Sequence, residues 1–330
     1  MLLRNFAGNL RSLPIEFNME QKIHNTIIVG SGPSGYTAAI YTARANMSPL
    51  LFTGVEPGGQ LMITTDVENY PGYPNGVLGP QMMDDFMKQA QRFGTDIKYE
   101  VIEKVDLSGP VHKLWTESGE LFLAHTVIIS TGASAKWLGL ESEKRLMNKG
   151  VSACAVCDGF FFKGKVVSVV GGGDTAVEEA TYLSKMCPEV HLFVRRDVLR
   201  ASKIMQERLM ANPVIRVHWN TEIEEIGGEH EVTHVNVIDR KTGNKQRINL
   251  SAVFIAIGHQ PNSTPFRQWL DTDEQGYIKT IAGSTKTRIE GVFACGDVQD
   301  RIYRQAITAA GSGCMAALDA ERFLVEKGLH

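Results

Sequence analysis

The chain has 330 residues, too long for one ordinary hydrophobic core and suited to two domains. Hydrophobic content of 43%, charged content of 22% and 32 glycines describe a soluble globular protein with many tight turns. A net charge of -3 gives no electrostatic reason to expect nucleic acid as a partner, and no apolar run approaches the roughly 20 residues a membrane helix needs.

Five cysteines is an odd count, and low for a secreted protein stapled by disulfides. Only Cys154 and Cys157 are close in sequence; Cys187, Cys295 and Cys314 are scattered. That pattern points to a reducing, cytoplasmic compartment and one special pair. Residues 1–25 read as an N-terminal extension. Leu2, Leu3, Phe6, Leu10 and Leu13 fall at roughly helical spacing with Arg4 and Arg11, and the first acid is Glu16. Residues 1–20 therefore read as a plain extension, or one upstream of a start at Met19, with an organelle presequence as the alternative.

Thr26-Ile27-Ile28-Val29 has the pattern of a buried strand and runs directly into Gly30-Ser31-Gly32-Pro33-Ser34-Gly35. A helix is expected over Tyr36 to Asn46 and a second strand over Pro49 to Phe52, completing a βαβ unit. The pattern recurs: Val166 to Val170 as a strand, Gly171 to Ala176 as the turn, Val177 to Met186 as a helix and His191 to Val194 as the next strand. Thr126 to Ser130 and Ala252 to Ile257 are two more apolar strands that end near glycine, and they read as crossings between domains. Gly291 to Asp297 fits a returning strand and loop, and Ala306 to Leu324 a closing helix. The expected fold is α/β, with two Rossmann-like dinucleotide-binding domains. Residues 26–136 and 263–330 form the discontinuous first domain, and residues 137–262 are inserted in it.

Gly30, Gly32 and Gly35 fill the three positions of G-x-G-x-x-G in strand–turn–helix context. There the backbone turns sharply and approaches a pyrophosphate at a helix N-terminus; the bland alternative is a tight turn with no ligand. The acid expected about 20 residues on is not clean. Glu56 is near, within the loop Thr53-Gly54-Val55-Glu56-Pro57-Gly58-Gly59-Gln60, which could instead bind ligand through its backbone. The second fingerprint has Gly171, Gly173 and Ala176, with Asp174 and Thr175 in its turn. After its second strand stand Arg195 and Arg196, with Arg200 a little further on, where an acid would select a free ribose. Guanidinium groups suit a phosphate, so the nucleotide is expected to be NADPH; the alternative is a solvated basic turn.

Cys154-Ala155-Val156-Cys157-Asp158 allows a small disulfide ring or two zinc ligands. No second C-x-x-C or finger-spaced His pair is present, so no metal is expected, and a buried structural dithiol is a further alternative. Thiol–disulfide exchange is the favoured reading, since it needs one attacking thiolate and one partner to close the ring. Asp158 can supply or accept the proton, or simply cap a helix before Gly159. The pair lies shortly before the second fingerprint, so it belongs to the NADPH domain.

From about Thr26 to Leu324 the chain resembles the low-molecular-weight, bacterial-type NADPH-dependent thioredoxin reductases. The matching stretches include Gly30 to Gly35, Gly58-Gly59-Gln60-Leu61, Val67 to Gly72, Cys154 to Gly159, Gly171 to Asp174 and Arg195-Arg196-Asp197. Arg200-Ala201-Ser202, Gly258 to Asn262, Gly296-Asp297-Val298 and Tyr303 to Ala306 match as well. The resemblance implies FAD in the first domain, held by Gly30, Gly32, Pro33 and Gly35, by Thr53, Glu56, Gly59, Gln60 and Asn69, and by Asp297, Arg304, Gln305 and Ala306. It also implies NADPH on Gly171, Gly173, Asp174, Thr175 and the arginines, a homodimer, and thioredoxin as protein substrate. By the same resemblance Cys154 attacks the thioredoxin disulfide, Cys157 faces the flavin and Asp158 is the acid/base. Both nicotinamide and disulfide must then visit one isoalloxazine, which calls for a hinge between domains. One departure is visible: Val194 stands where many members have His. A peroxiredoxin-system reductase would carry an added N-terminal module, for which about 25 residues leave no room. A reductase of another thioredoxin-like carrier, or a non-catalytic flavin-binding redox sensor, is the remaining alternative.

Overall fold

Strand Ile23–Val29 alternates its side chains between two cores, and this sets the first layer arrangement. Ile27 and Val29 join one buried cluster and Ile28 the other. The computed structural model describes residues 22–64 and 66–329, so the presequence reading of residues 1–20 lies outside the described residues. Ile23–Val29 pairs in parallel with Leu50–Phe52 on one side and Leu121–Ile129 on the other. Asp96–Lys98 extends that sheet beyond Leu50–Phe52. The long strand Leu121–Ile129 serves two neighbours. Its first half takes the antiparallel His112–Thr116, and its last three residues take Val292–Ala294 in parallel. The returning segment thus closes the first sheet, which has seven strands among the described residues.

Val167–Val170 repeats the logic in a second, wholly parallel sheet. Its order is Val151–Ser152, Ala252–Ile255, Val167–Val170, Val190–Val194 and Ile215–Trp219. Val167 and Val169 enter one core and Val170 the other. A three-stranded antiparallel sheet, Thr221–Gly227, His234–Asp239 and Lys245–Asn249, packs against this unit.

The chain passes between the two sheets through an antiparallel pair, Ala133–Ala135 with His259–Pro261. Asn262 fastens the crossing: its amide donates to Gly132 O (3.0 Å) and its carbonyl accepts from Thr131 Oγ1 (2.8 Å).

Helix starts fall earlier than the apolar pattern suggests. The first helix is Pro33–Arg44, not Tyr36 to Asn46. Proline at its first turn is already set to a helical φ, while Asn46, with φ 61°, has left the helix. The second fingerprint helix is Asp174–Leu183, with an acid in the first turn where the dipole favours one. The closing helix runs Ala306–Glu326 and packs on the first. Among the described residues no helix is long and apolar enough to cross a membrane.

Candidate active site

The three glycines of the first fingerprint have three different jobs. Gly30 has φ +108°, and a Cβ there would strike the Ser130 carbonyl. A Cβ on Gly35 would strike the Gly30 carbonyl, so Gly35 sets how closely helix meets strand. Around Gly32 nothing lies within 4 Å of an added Cβ. That open face is where a pyrophosphate can approach the backbone. The second fingerprint repeats the division: Gly171, φ +153°, is wedged against Ala256 O and Ala176, and Gly173 is open.

A cavity of about 1320 Å³ runs from the first fingerprint to the cysteine pair. It exceeds the roughly 300–1,000 Å³ of ordinary small-ligand pockets and has room for an extended dinucleotide. Gly30, Gly32, Pro33, Thr53, Glu56, Gly59, Gln60, Asn69, Asp297, Arg304, Gln305 and Ala306 all line it. Gly35 is not among the residues that line it; a Cβ there would meet the Gly30 carbonyl, so the glycine sets the helix–strand packing. Ser31 ties the walls together, donating to Thr53 O (3.0 Å) and accepting from the Gly58 amide (2.9 Å). Asn69 Nδ2 donates to Gln305 Oε1 (3.4 Å), joining residues distant in sequence. Burial pushes the Asp297 carboxyl up to about 7, with Asp300 adding to the rise and Arg304 opposing it.

Cys154, Cys157 and Asp158 border the same cavity. The two cysteines are joined in a disulfide, Cα–Cα 5.3 Å, across the short helix Ala155–Asp158. The Cys157 amide donates to Cys154 Sγ (3.2 Å). Ser152 Oγ accepts from the Cys154 amide (3.0 Å) and donates to Asp158 Oδ2 (2.5 Å). Burial raises the Asp158 carboxyl above the usual range, and the Ser152 bond partly offsets this. Asp158 makes no side-chain capping bond to the following turn Gly159–Phe162, so the helix-cap alternative does not describe it. Among the described residues no group of three or more His, Cys, Asp or Glu could hold a metal ion.

Of the second fingerprint set, only Thr175 reaches this cavity; Gly171, Gly173, Asp174, Arg195, Arg196 and Arg200 lie outside it. They form a separate surface. Arg200 N donates to Gly172 O (2.6 Å) and Ser202 N to Asp174 Oδ1 (2.8 Å), which folds the basic turn over the glycine loop. Arg195, Arg196 and Arg200 are exposed.

Further residues in and beside the cavity are given no role by the sequence. Glu179 projects from Asp174–Leu183 and takes a bond from the backbone of Ala155, between the two cysteines. Its Oε2 is buried without a partner, and burial pushes the carboxyl up to about 7. His259 is pushed down to about 4 by burial and by the charges of Arg304 and Lys136. Beside the disulfide, Val156, Phe160 and Phe161 are 47%, 60% and 39% exposed. An exposed aromatic pair is a signal of recognition, and it was readable only once the surface was known.

The profile of the pyridine nucleotide-disulphide oxidoreductases matches residues 24–313. A thioredoxin reductase from Streptomyces clavuligerus is 51% identical over 303 residues, 92% of this chain and 94% of its own length. The chain belongs to the thioredoxin reductase family. A solved thioredoxin reductase from Giardia duodenalis is 43% identical, with TM-score 0.87 over 91% of this chain and 98% of that one. A Lactococcus lactis thioredoxin reductase described as in the FR conformation is 38% identical over 92% and 99% of the chains, with TM-score 0.63. The family implies FAD and NADPH as cofactors, and the open glycines and the large cavity fit them.

Proposed function

We propose that this chain reduces thioredoxin with NADPH, through FAD and the Cys154–Cys157 disulfide. The observation that carries this reading is the single cavity joining the open glycine Gly32 to both cysteines. When bound, FAD accepts a hydride from nicotinamide and supplies two electrons to a disulfide. Gly30, Gly32 and Pro33 would hold its pyrophosphate, with Glu56, Asn69, Asp297 and the Arg304 to Ala306 turn along its length. Gly171, Gly173, Asp174 and Thr175 would hold the NADPH pyrophosphate, and Arg195, Arg196 and Arg200 its 2′-phosphate.

By the family resemblance Cys157 takes the flavin side and Cys154 attacks thioredoxin; both residues border the cavity. The Cys154 thiolate breaks the thioredoxin disulfide and forms a mixed disulfide. Cys157 then attacks Cys154 Sγ, re-forming the ring and releasing the thioredoxin dithiol. Asp158, poised by burial and Ser152, carries the proton that each departing thiolate needs. Val156, Phe160 and Phe161 give the protein substrate an apolar landing beside the sulfurs.

Residues 26–136 with 263–330, and residues 137–262, act as two bodies joined at the Ala133–Ala135 and His259–Pro261 crossing. The arginine surface lies outside the cavity that holds the disulfide, so nicotinamide and disulfide take turns at the flavin. The lower TM-score to the Lactococcus lactis structure, at nearly the same coverage as the Giardia duodenalis structure and similar identity, supports such a rotation. A homodimer is supported by Tyr41, Met315 and Leu318, exposed on the first and closing helices. A cytoplasmic site is supported by Cys187, Cys295 and Cys314, all free thiols.

The test follows NADPH consumption with a thioredoxin and a disulfide indicator, for wild type and Cys157→Ser. Turnover in wild type and its loss in the variant is the expected result; wild-type silence with FAD bound overturns the reading.

A further inference from the structure

Val194, where many family members have His, offers no polar group to a nucleotide. The residue is 2% exposed and belongs to the core of the second sheet, and a Cβ added at Gly172 would meet its side chain. A cation from elsewhere in the chain stands at the same rim. Arg240 lies just beyond strand His234–Asp239, and two backbone hydrogen bonds carry it to the arginine pair. Asn220 N donates to Arg196 O (3.1 Å), and Arg240 N donates to Asn220 O (2.7 Å). Asn220 has φ 53°, a left-handed conformation that asparagine tolerates better than most residues.

Glu222 then sets the two guanidinium groups side by side. Arg195 Nε lies 3.8 Å from Glu222 Oε1, and Arg240 Nε lies 3.3 Å from Glu222 Oε2. The neighbouring Lys241 pairs with Asp197 at 2.9 Å, a second tie between the two loops. Asp239 Oδ1 is turned to its own loop, where it accepts the amides of Lys241 and Thr242 (2.8 Å each). Arg195 and Arg240 remain 65% and 50% exposed, so the bridge to Glu222 is weak and positions more than it binds. Two guanidinium groups on one carboxylate leave positive charge uncompensated. A phosphate monoester, carrying close to two negative charges, is the ligand chemistry that completes the group.

We propose that Arg240 is a further specificity-determining residue for NADPH, donating to the 2′-phosphate beside Arg195 and Arg196. This rests on the reading that the arginine surface binds that phosphate. Glu222 is a positioning residue that holds Arg240 near the phosphate before the nucleotide arrives, which lowers the ordering cost of binding.

The experiment compares steady-state KM for NADPH and for NADH in the FAD-loaded enzyme, for wild type, Arg240→Met and Arg195→Met. Arg240→Met is expected to raise the NADPH-to-NADH ratio of KM about tenfold, as loss of one charge-assisted contact to phosphate requires. Arg240→Lys is expected to recover part of it. If Arg195→Met moves the ratio and Arg240→Met does not, the proposal is overturned and the reading of the arginine surface stands. If neither moves it, both are overturned. Equal rises in both KM values for Arg240→Met mark a merely structural role and overturn the proposal. Affinity for 2′,5′-ADP, measured on the same holoenzymes, is expected to fall as the ratio rises.

Discussion

Ser152 Oγ donates to Asp158 Oδ2 while accepting the amide of Cys154, so one hydroxyl links the acid to the disulfide turn. The Ser152 bond favours the charged carboxylate and burial favours the neutral acid. Removing the bond in Ser152→Ala therefore raises the Asp158 pKa further. The pH at which Asp158 loses its proton moves up, and the alkaline limb of thioredoxin turnover is expected to move with it. Asp158→Asn is expected to slow turnover roughly a hundredfold or more, the usual scale for a lost general acid. An unshifted pH profile in Ser152→Ala would count against the coupling.

Glu179 gives a stability prediction with a definite sign. Its folded pKa is raised to about 7 by burial, above the ordinary glutamate value. The group's contribution is intact below about pH 4.5 and is lost as pH rises through about 7, where the buried form must ionise. Chemical denaturation of wild type is expected to show stability falling over that window, by up to about 3 kcal/mol. Glu179→Gln is expected to flatten the dependence. Parallel curves for the two proteins would remove Glu179 as the cause.

Gly32 and Gly35 separate ligand binding from folding. Gly32→Ala adds a methyl to open space and is expected to fold normally but retain less FAD, read from the flavin-to-protein absorbance ratio. Gly35→Ala puts the same methyl onto the Gly30 carbonyl and is expected to cost about 1–3 kcal/mol of stability, the range for overpacking. The reverse pattern would contradict the assignment.

Asn148 Nδ2 donates to Ile63 O beside the cavity, a bond that joins the two bodies proposed above. A disulfide between Ile63→Cys and Asn148→Cys is expected to hold this arrangement, with the active pair at the flavin site and NADPH excluded. Turnover should fall to a few percent or less and return when the added link is opened by a reductant. Full turnover of the linked enzyme is incompatible with alternation of the bodies.

The parts of the fold read most directly from sequence are those dictated by backbone chemistry. Gly30, Gly32, Gly171 and Gly173 announce themselves because each sits where a Cβ or a negative φ would fail, or where a ligand must come close. The strands around them follow, since Ile27 to Val29 and Val167 to Val170 are buried on both faces and read as near-continuous apolar runs, broken only by Ser168, whose hydroxyl donates to Ala252 O (3.3 Å). Helix ends shift by a few residues because Pro33 and Asp174 act as starters that an apolar pattern ignores. Glu179, Ser152 and the Phe160–Phe161 pair were hidden for a different reason. A carboxylate beside Ala155 N, a hydroxyl under Asp158 and two uncovered rings are products of packing, and no spacing along the chain encodes them. Arg240 is the extreme case, brought to Arg196 by a hairpin that carries no motif.

The crossing at Ala133–Ala135 and His259–Pro261 brings the two ends of the inserted unit together. Neighbouring strands lie about 4.8 Å apart, so the insert begins and ends at one place on its host. Such a unit can be exchanged as a cassette without stretching the protein that carries it. A different nucleotide preference, or a different disulfide, can therefore be grafted onto the same flavin platform by one replacement.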